Sequence, residues 1–226
     1  MPRNATTDAR RSDILAAALD CFTRRGYAAT AIDDVRRTAG ASVGSIYHHF
    51  KSKEQLAAAL FVEGLRDYQQ SLLAELARRT ARRSARQGVT LVVDHYLRWV
   101  ARHPDWARYL LEMGQAQFID EARDEIDALN EHFFGELQAW FAPHLARGEL
   151  IRLPMTLYLP ILVGPSREFA RAWLRGGGDM AQARRVLAEA AWKALRSNRT
   201  IKEKPPWSTS PSHPSKKRGK QRLARR

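Results

Sequence analysis

Between residues 30 and 53 lie Thr30, Ser42, Ser45, Tyr47, His48 and Lys53. Hydroxyls, an imidazole and an ammonium at this spacing suit phosphate oxygens and base edges. Bond-breaking chemistry has no comparable set. None of the histidines at 48, 49, 95, 103, 132, 144 and 213 stands at metalloprotease spacing with an acid, and there is neither a phosphate-cradling glycine motif nor a nucleophile elbow. Cys21 falls on an apolar helical face, where a thiol is inert. The chain therefore reads as a binding protein and not an enzyme, with no catalytic residues, metal or cofactor expected.

Ser42, Val43, Gly44 and Ser45 open a short helical pattern that continues through Ile46, Tyr47 and Phe50. A helix that begins with small residues can enter the major groove of duplex DNA and bring its first turn to the base edges. Gly44 is a poor helix former, by about 1 kcal/mol relative to Ala. Two readings explain it: close approach of a partner from outside, or close packing against the first helix. Thr30, Tyr47, His48 and Lys53 are the expected phosphate contacts around this helix, Lys53 beside a helix N-terminus.

The elements that must position this set are helical. Ile14, Leu15, Ala18, Leu19 and Phe22 share one helical face, which Gly26 ends. Ile32–Ala39 and Val43–His49 are two short helices joined by Gly40–Ala41–Ser42, the spacing of a helix-turn-helix. Thr30 with Asp33, and Ser52 with Gln55, read as capping boxes, and Ser42 as an N-cap. A long fourth helix starts after Ser52 and is expected to run to about residue 81. Further helices are predicted over 87–102, 105–116, 121–146, 156–174 and 180–197. No alternating strand pattern occurs. The expected fold is all-α: a three-helix DNA-binding domain (1–53), linked by the long fourth helix to a helical domain (54–197), and a basic tail (198–226) too polar to order itself.

The chain has 226 residues and a net charge of +14. The tail holds ten Lys or Arg against the single acid Glu203, so the body is only mildly basic. Polyanions are the natural partners, nucleic acid first. One cysteine precludes an intrachain disulfide and suits a reducing cytoplasm. No run of 18 apolar residues is present, so no membrane association is expected. A second reading remains open: a sequence-indifferent nucleic-acid binder driven by tail residues such as Lys216, Lys217, Arg218 and Lys220.

Residues 14–60 resemble the N-terminal domain of the tetracycline-repressor (TetR) family of bacterial regulators. The run Gly44-Ser-Ile-Tyr-His-His-Phe-Lys-Ser-Lys-Glu-Gln-Leu56 carries most of the likeness, with Phe22, Gly26, Tyr27, Thr30, Ile32, Val35 and Ala39–Gly40 in support. Departures are Ala31, where Ser or Thr is common, and Arg36–Arg37, where an Ala-rich pair is common. Those two arginines suit either a backbone contact or a solvated face. The resemblance implies a homodimeric transcriptional regulator, usually a repressor. It would bind a near-palindromic operator and be released by a small-molecule effector. It also implies base contacts from Ser42 to Ser45 and phosphate contacts from Thr30, Tyr47 and Lys53.

Residues 90–175 are rich in aromatics, which suits a cavity for a flat or greasy ligand as well as simple core packing. Tyr96, Trp99, Trp106, Tyr109, Met113, Phe118, Phe133 and Tyr158 are the expected pocket wall, and Arg98, Arg102 and Glu112 are candidates to orient a polar ligand atom. As the resemblance implies, the last two helices would pair with their copies through Phe169, Trp173, Leu187, Ala191 and Leu195. The acidic run Asp120–Asp127 reads as a solvated face or a cation site.

Overall fold

The computed structural model of the protein describes residues 3–78, 84–114 and 116–197. The expected helix end near residue 81 and the expected basic tail fall outside them. The described chain is all-α. Its helices are α1 (Arg3–Arg25), α2 (Ile32–Ala39), α3 (Val43–His49), α4 (Lys53–Ala77), α5 (Ala85–Arg102), α6 (Pro104–Met113), α7 (Arg123–Ala146), α8 (Met155–Leu174) and α9 (Met180–Leu195). A 3-10 turn at Gln117–Ala122 precedes α7. Among the described residues the only β-type pairing is an isolated bridge, Leu150 with Arg196.

Local chemistry sets most of the ends. Ser42 accepts from the Ser45 N–H at 3.1 Å, and Ser52 from the Gln55 N–H at 3.0 Å. Gln55 reaches back to the Lys51 N–H, one residue before the expected one. The cap of α2 also differs from expectation. Ala31, not Thr30, is the N-cap, and Asp34, not Asp33, closes it by accepting from the Ala31 N–H at 2.9 Å. Thr30 is drawn away because its side chain is buried against α1. Helix α1 starts at Arg3, well before its apolar face begins at Ile14.

Two cores form. The first joins Ile14, Leu15, Ala18 and Phe22 of α1 to Val35, Ile46 and Phe50, and draws on Leu56, Leu60 and Phe61 of α4, Tyr109 of α6, and Phe118, Ile119 and Ile126 beyond it. The second packs α5, α7, α8 and α9 around the far half of α4, with Leu72, Val89, Val93, Leu97, Phe141, Leu162 and Leu195 at its centre. Each fully buried aliphatic side chain contributes roughly 1.5–3 kcal/mol. Helix α4 belongs to both cores. Helix α6 bridges them: Trp106 lies against Gly64, where an added Cβ would stand 2.4 Å from Cε3 of the indole. A second glycine–indole contact, Gly88 of α5 on Trp140 of α7, is tighter still.

Candidate functional site

Helix α3 is held by one side and offered by the other. Ile46 is buried, which pins the helix to the first core. Ser42, Val43, Gly44, Tyr47 and His48 are exposed and Ser45 is half-buried. Val43 and Tyr47 are both 49% exposed, among the few large apolar residues so placed. The turn ahead of α3 works because Gly40 adopts φ 55°, the left-handed conformation that closes α2. A Cβ built on Gly44 meets nothing nearer than Ser42 Oγ at 4.0 Å. Packing against α1 therefore does not explain that glycine.

The phosphate candidates separate. The Tyr47 phenol and His48 imidazole are free at the surface, with the His48 ring edge-on to His49 at 5.2 Å. Lys53 Nζ sits 4.2 Å from the centre of the Tyr27 ring and donates to the Ala28 carbonyl at 3.4 Å. Tyr27 in turn donates to Glu54, and burial together with that carboxylate pushes its phenol up to about 12. Thr30 does not join the group. Its hydroxyl is buried and directed at the carbonyls of Gly26 (2.9 Å) and Cys21 (3.2 Å), so it locks the α1–α2 corner. Arg36 pairs with Asp33 at 2.7 Å and Arg37 with Asp34 at 2.6 Å.

The unforeseen contribution to this face comes from the early start of α1. Arg11 lies over the Phe50 ring at 5.6 Å, and Arg10 is exposed one residue before it. Partial burial, then His48 and these two arginines, hold the His49 imidazole below its ordinary value. A polar stretch without an apolar face carries no periodic signal, so only the arginines themselves hinted at it.

Inside the second core the structure brings together Tyr96, Trp99 and Phe133. Their rings surround Tyr68 of α4 at centroid distances of 5.7, 5.5 and 6.3 Å. Tyr158 stands apart, packed on Phe141 and donating to the Ile151 carbonyl. Tyr109, Met113 and Phe118 belong with the first core, and Trp106 lies between the two. Beside the Tyr68 cluster a small polar cleft of about 110 Å³ is lined by Asp67, Ser71, His95, Arg98, Trp99, Arg102 and His103. Trp99 Nε1 donates to Asp67 at 2.7 Å. Glu75 accepts from Arg98 and from His95 Nδ1, each at 2.7 Å. Glu112 is exposed on α6. In the acidic run, Asp120 pairs with Arg123 and Glu125 with Arg66.

Of the expected dimer residues, Phe169, Trp173 and Leu187 are half-exposed, whereas Ala191 and Leu195 are buried in the chain's own core. The outward faces of α8 and α9 instead carry Leu157 and Val186, 48% and 56% exposed. No helix among the described residues is long and apolar enough to cross a membrane.

An all-α chain with a helix-turn-helix presented at one end and a second helical core behind it defines a DNA-binding regulator. Residues 14–60 match the bacterial regulatory proteins of the tetR family. The transcriptional repressor KstR2 of Mycolicibacterium smegmatis is 31% identical over 149 residues, which is 60% of this chain and 69% of the relative. The repressor AcnR of Corynebacterium diphtheriae is 34% identical over 110 residues, covering 49% of this chain and 51% of AcnR. Among solved structures, FadR from Bacillus subtilis in complex with stearoyl-CoA is 20% identical with a TM-score of 0.69, over 81% of this chain and 98% of FadR, a likeness of fold. The chain belongs to the tetR family of bacterial regulatory proteins. It is a helix-turn-helix DNA-binding transcriptional regulator, and not an enzyme.

Proposed function

We propose that the protein is a ligand-responsive repressor that binds a near-palindromic operator as a dimer. Ser42, Val43, Gly44 and Ser45 face the base edges, and Tyr47, His48, Lys53, Arg10 and Arg11 face the phosphates. The observation that carries this reading is α3 itself: a helix anchored by Ile46 that leaves Val43 and Tyr47 exposed around a glycine with open space above it. An exposed apolar pair on a seven-residue helix has no use within the chain, and suits thymine methyl groups and sugar edges. Two copies related by a two-fold axis would read matching half-sites. The exposed outer faces of α8 and α9 support that pairing, with Leu157 and Val186 at its centre. The effector is a small molecule held among the rings around Tyr68, and the stearoyl-CoA complex of FadR supports an interior of that kind.

Selection of bound duplexes from a random pool, with the full chain, tests the reading. An enriched inverted repeat whose half-site preference changes in Ser45→Arg supports it. A pool with no enriched sequence, or a preference unmoved by that variant, overturns it. Light scattering at micromolar concentration reports the dimer, and a monomer mass removes that part.

A further inference from the structure

Helix α4 opens on two opposite charges, Lys53 and then Glu54. A cation is out of place there, because the positive end of the helix dipole favours an acid in the first turn. Adjacent in the chain, the two charges would also be expected to neutralise each other. They do not: among the described residues they form no ion pair, and each is held by a separate part of Tyr27. Lys53 Nζ stands 4.2 Å from the centre of the Tyr27 ring, well inside the range at which an aromatic face attracts an ammonium. The Tyr27 hydroxyl donates to Glu54 Oε1 at 3.2 Å.

The ring is itself fixed. It packs edge-on against Phe22 of α1 at 5.4 Å and against Phe118 of the 3-10 turn at 4.8 Å. Burial, then the Glu54 carboxylate, push the phenol up to about 12, so at neutral pH it remains a donor. Hydrogen bonds from its own backbone N–H, from Ser52 and from Tyr27 hold the Glu54 carboxyl below its usual range, so it remains an acceptor. The ammonium has three donors, of which the Ala28 carbonyl takes one at 3.4 Å. No carboxylate takes another. A free lysine loses much rotamer freedom when it closes on a phosphate; here part of that ordering precedes the encounter.

We infer that Tyr27 is a positioning residue for DNA binding: its ring holds the Lys53 ammonium ready for a phosphate, and its hydroxyl draws the Glu54 carboxylate off that ammonium. The inference rests on the reading of Lys53 as a phosphate contact and adds the residue that makes it one. Tyr27 itself needs no contact with DNA. Packing against Phe22 and Phe118 alone would be served equally by phenylalanine, which could not hold Glu54.

Full-length variants are compared by fluorescence anisotropy at several salt concentrations, on a duplex recovered from the random-pool selection and on a scrambled duplex. Circular dichroism checks their helix content. Tyr27→Leu removes no charge, yet it lowers the magnitude of the salt slope by about 0.9, as Lys53→Ala does. Lys53→Ala weakens binding about fivefold or more in the wild-type background, and less than about twofold in Tyr27→Leu. Tyr27→Phe keeps the ring and frees Glu54; it weakens binding about threefold, and Glu54→Gln in the same chain restores it. A second measurement needs no DNA. After reductive methylation with isotope-labelled formaldehyde, the Lys53 methyl resonance, assigned by its loss in Lys53→Arg, lies upfield through the ring current of Tyr27. It stays there in Tyr27→Phe and returns to the ordinary lysine position in Tyr27→Leu. Should Tyr27→Leu lose helix content, the phenylalanine variant and the wild-type methyl resonance carry the test. A Tyr27→Leu slope equal to wild type, a full-sized Lys53 loss in that background, or an unshifted Lys53 resonance overturns the inference while leaving Lys53 on the phosphate. A Tyr27→Phe affinity equal to wild type, or one that Glu54→Gln does not restore, overturns the part given to the hydroxyl. An unchanged slope in Lys53→Ala itself sinks the phosphate reading, and the inference with it.

Discussion

Tyr109 of α6 donates to the carbonyl oxygen of Ala57, inside α4, at 2.9 Å, while its ring stacks on Phe22 of α1 with centroids 6.1 Å apart. One side chain thus ties the helix between the two cores to the DNA-reading end and to the long helix that both cores share. Trp106, one turn earlier, lies on Gly64 of the same helix. Through these two residues α6 is fixed to α4 both by a hydrogen bond and by close packing.

Tyr109→Phe keeps the ring and deletes the bond. Burial already holds this phenol protonated far above neutral pH, so the variant changes no charge. The expected loss is about 1 kcal/mol, since the Ala57 oxygen is left with fewer partners in a dry place. Urea denaturation reads it as a lower midpoint with the same slope. A midpoint equal to wild type would show that the hydroxyl contributes nothing to holding α6 on α4.

Gly44→Ala separates folding from binding, because the two should move in opposite directions. The added methyl enters open space and improves helix propensity by about 1 kcal/mol, so the melting temperature rises. On the bound side the same methyl stands between α3 and the groove floor, so operator affinity falls about tenfold or more, as one misfit at a base contact does. A variant that is both more stable and equally tight for the operator would mean that the glycine does not face DNA.

Phosphate contacts show in the salt dependence. Lys53→Ala should lower the magnitude of the log K against log salt slope by about 0.9, and Arg10→Ala/Arg11→Ala by up to about 1.8. Base preference stays the same in each case. Fluorescence anisotropy on specific and scrambled duplexes at several salt concentrations measures this. Slopes unchanged by the double arginine variant would place the start of α1 away from the DNA. Arg36 and Arg37 are held by Asp33 and Asp34, so replacing them should move the slope less.

Gly88 and Trp140 are a matched pair. A Cβ on Gly88 would stand 1.7 Å from Cη2 of the indole, so Gly88→Ala forces α5 and α7 apart. Overpacking of this kind destabilises by about 1–3 kcal/mol. Trp140→Leu in the same chain removes the collision, and a double-mutant cycle by thermal or urea unfolding should show the two changes compensating. Simple additivity would argue against the contact.

What the sequence made legible follows from how local each determinant is. Helices α2 and α3 fell where expected because Gly40, Ser42 and Ile46 act within one turn of themselves. Helix α1 begins earlier than its apolar spacing suggests, since residues 3–13 carry helical backbone while none of residues 7–13 is buried to advertise it. Thr30 looked like a cap and a phosphate ligand; its burial against Cys21 and Gly26 depends on how α1 meets α2. Tyr68 was passed over because its ring neighbours are 27 to 65 residues away in the chain, beyond any periodic pattern. The expected pocket list, built on aromatic content with Met113 added, could not tell rings of the first core from rings of the second.

The contact between α4 and α5 makes stability depend on pH. His95 is buried, which holds its imidazole below the ordinary value against the pull of the Glu75 carboxylate. It faces Glu75 at 2.7 Å and Ser71 at 3.0 Å, with Tyr68, Arg98 and Arg102 around it. Burial alone would raise the Glu75 carboxyl, but hydrogen bonds from His95 and Arg98 and the Arg98 charge bring it below its ordinary value. Both groups bind protons less readily folded than unfolded, so acid favours the unfolded chain. The histidine contribution is complete above about pH 6.5 and fades as pH falls below it, and that of Glu75 fades below about pH 4.3, the unfolded values of each group. Melting temperature should therefore fall from pH 7.5 to 5.5, and fall again toward pH 4. In His95→Gln the first decline flattens while the second persists. A curve of unchanged shape in that variant would remove His95 as the group responsible.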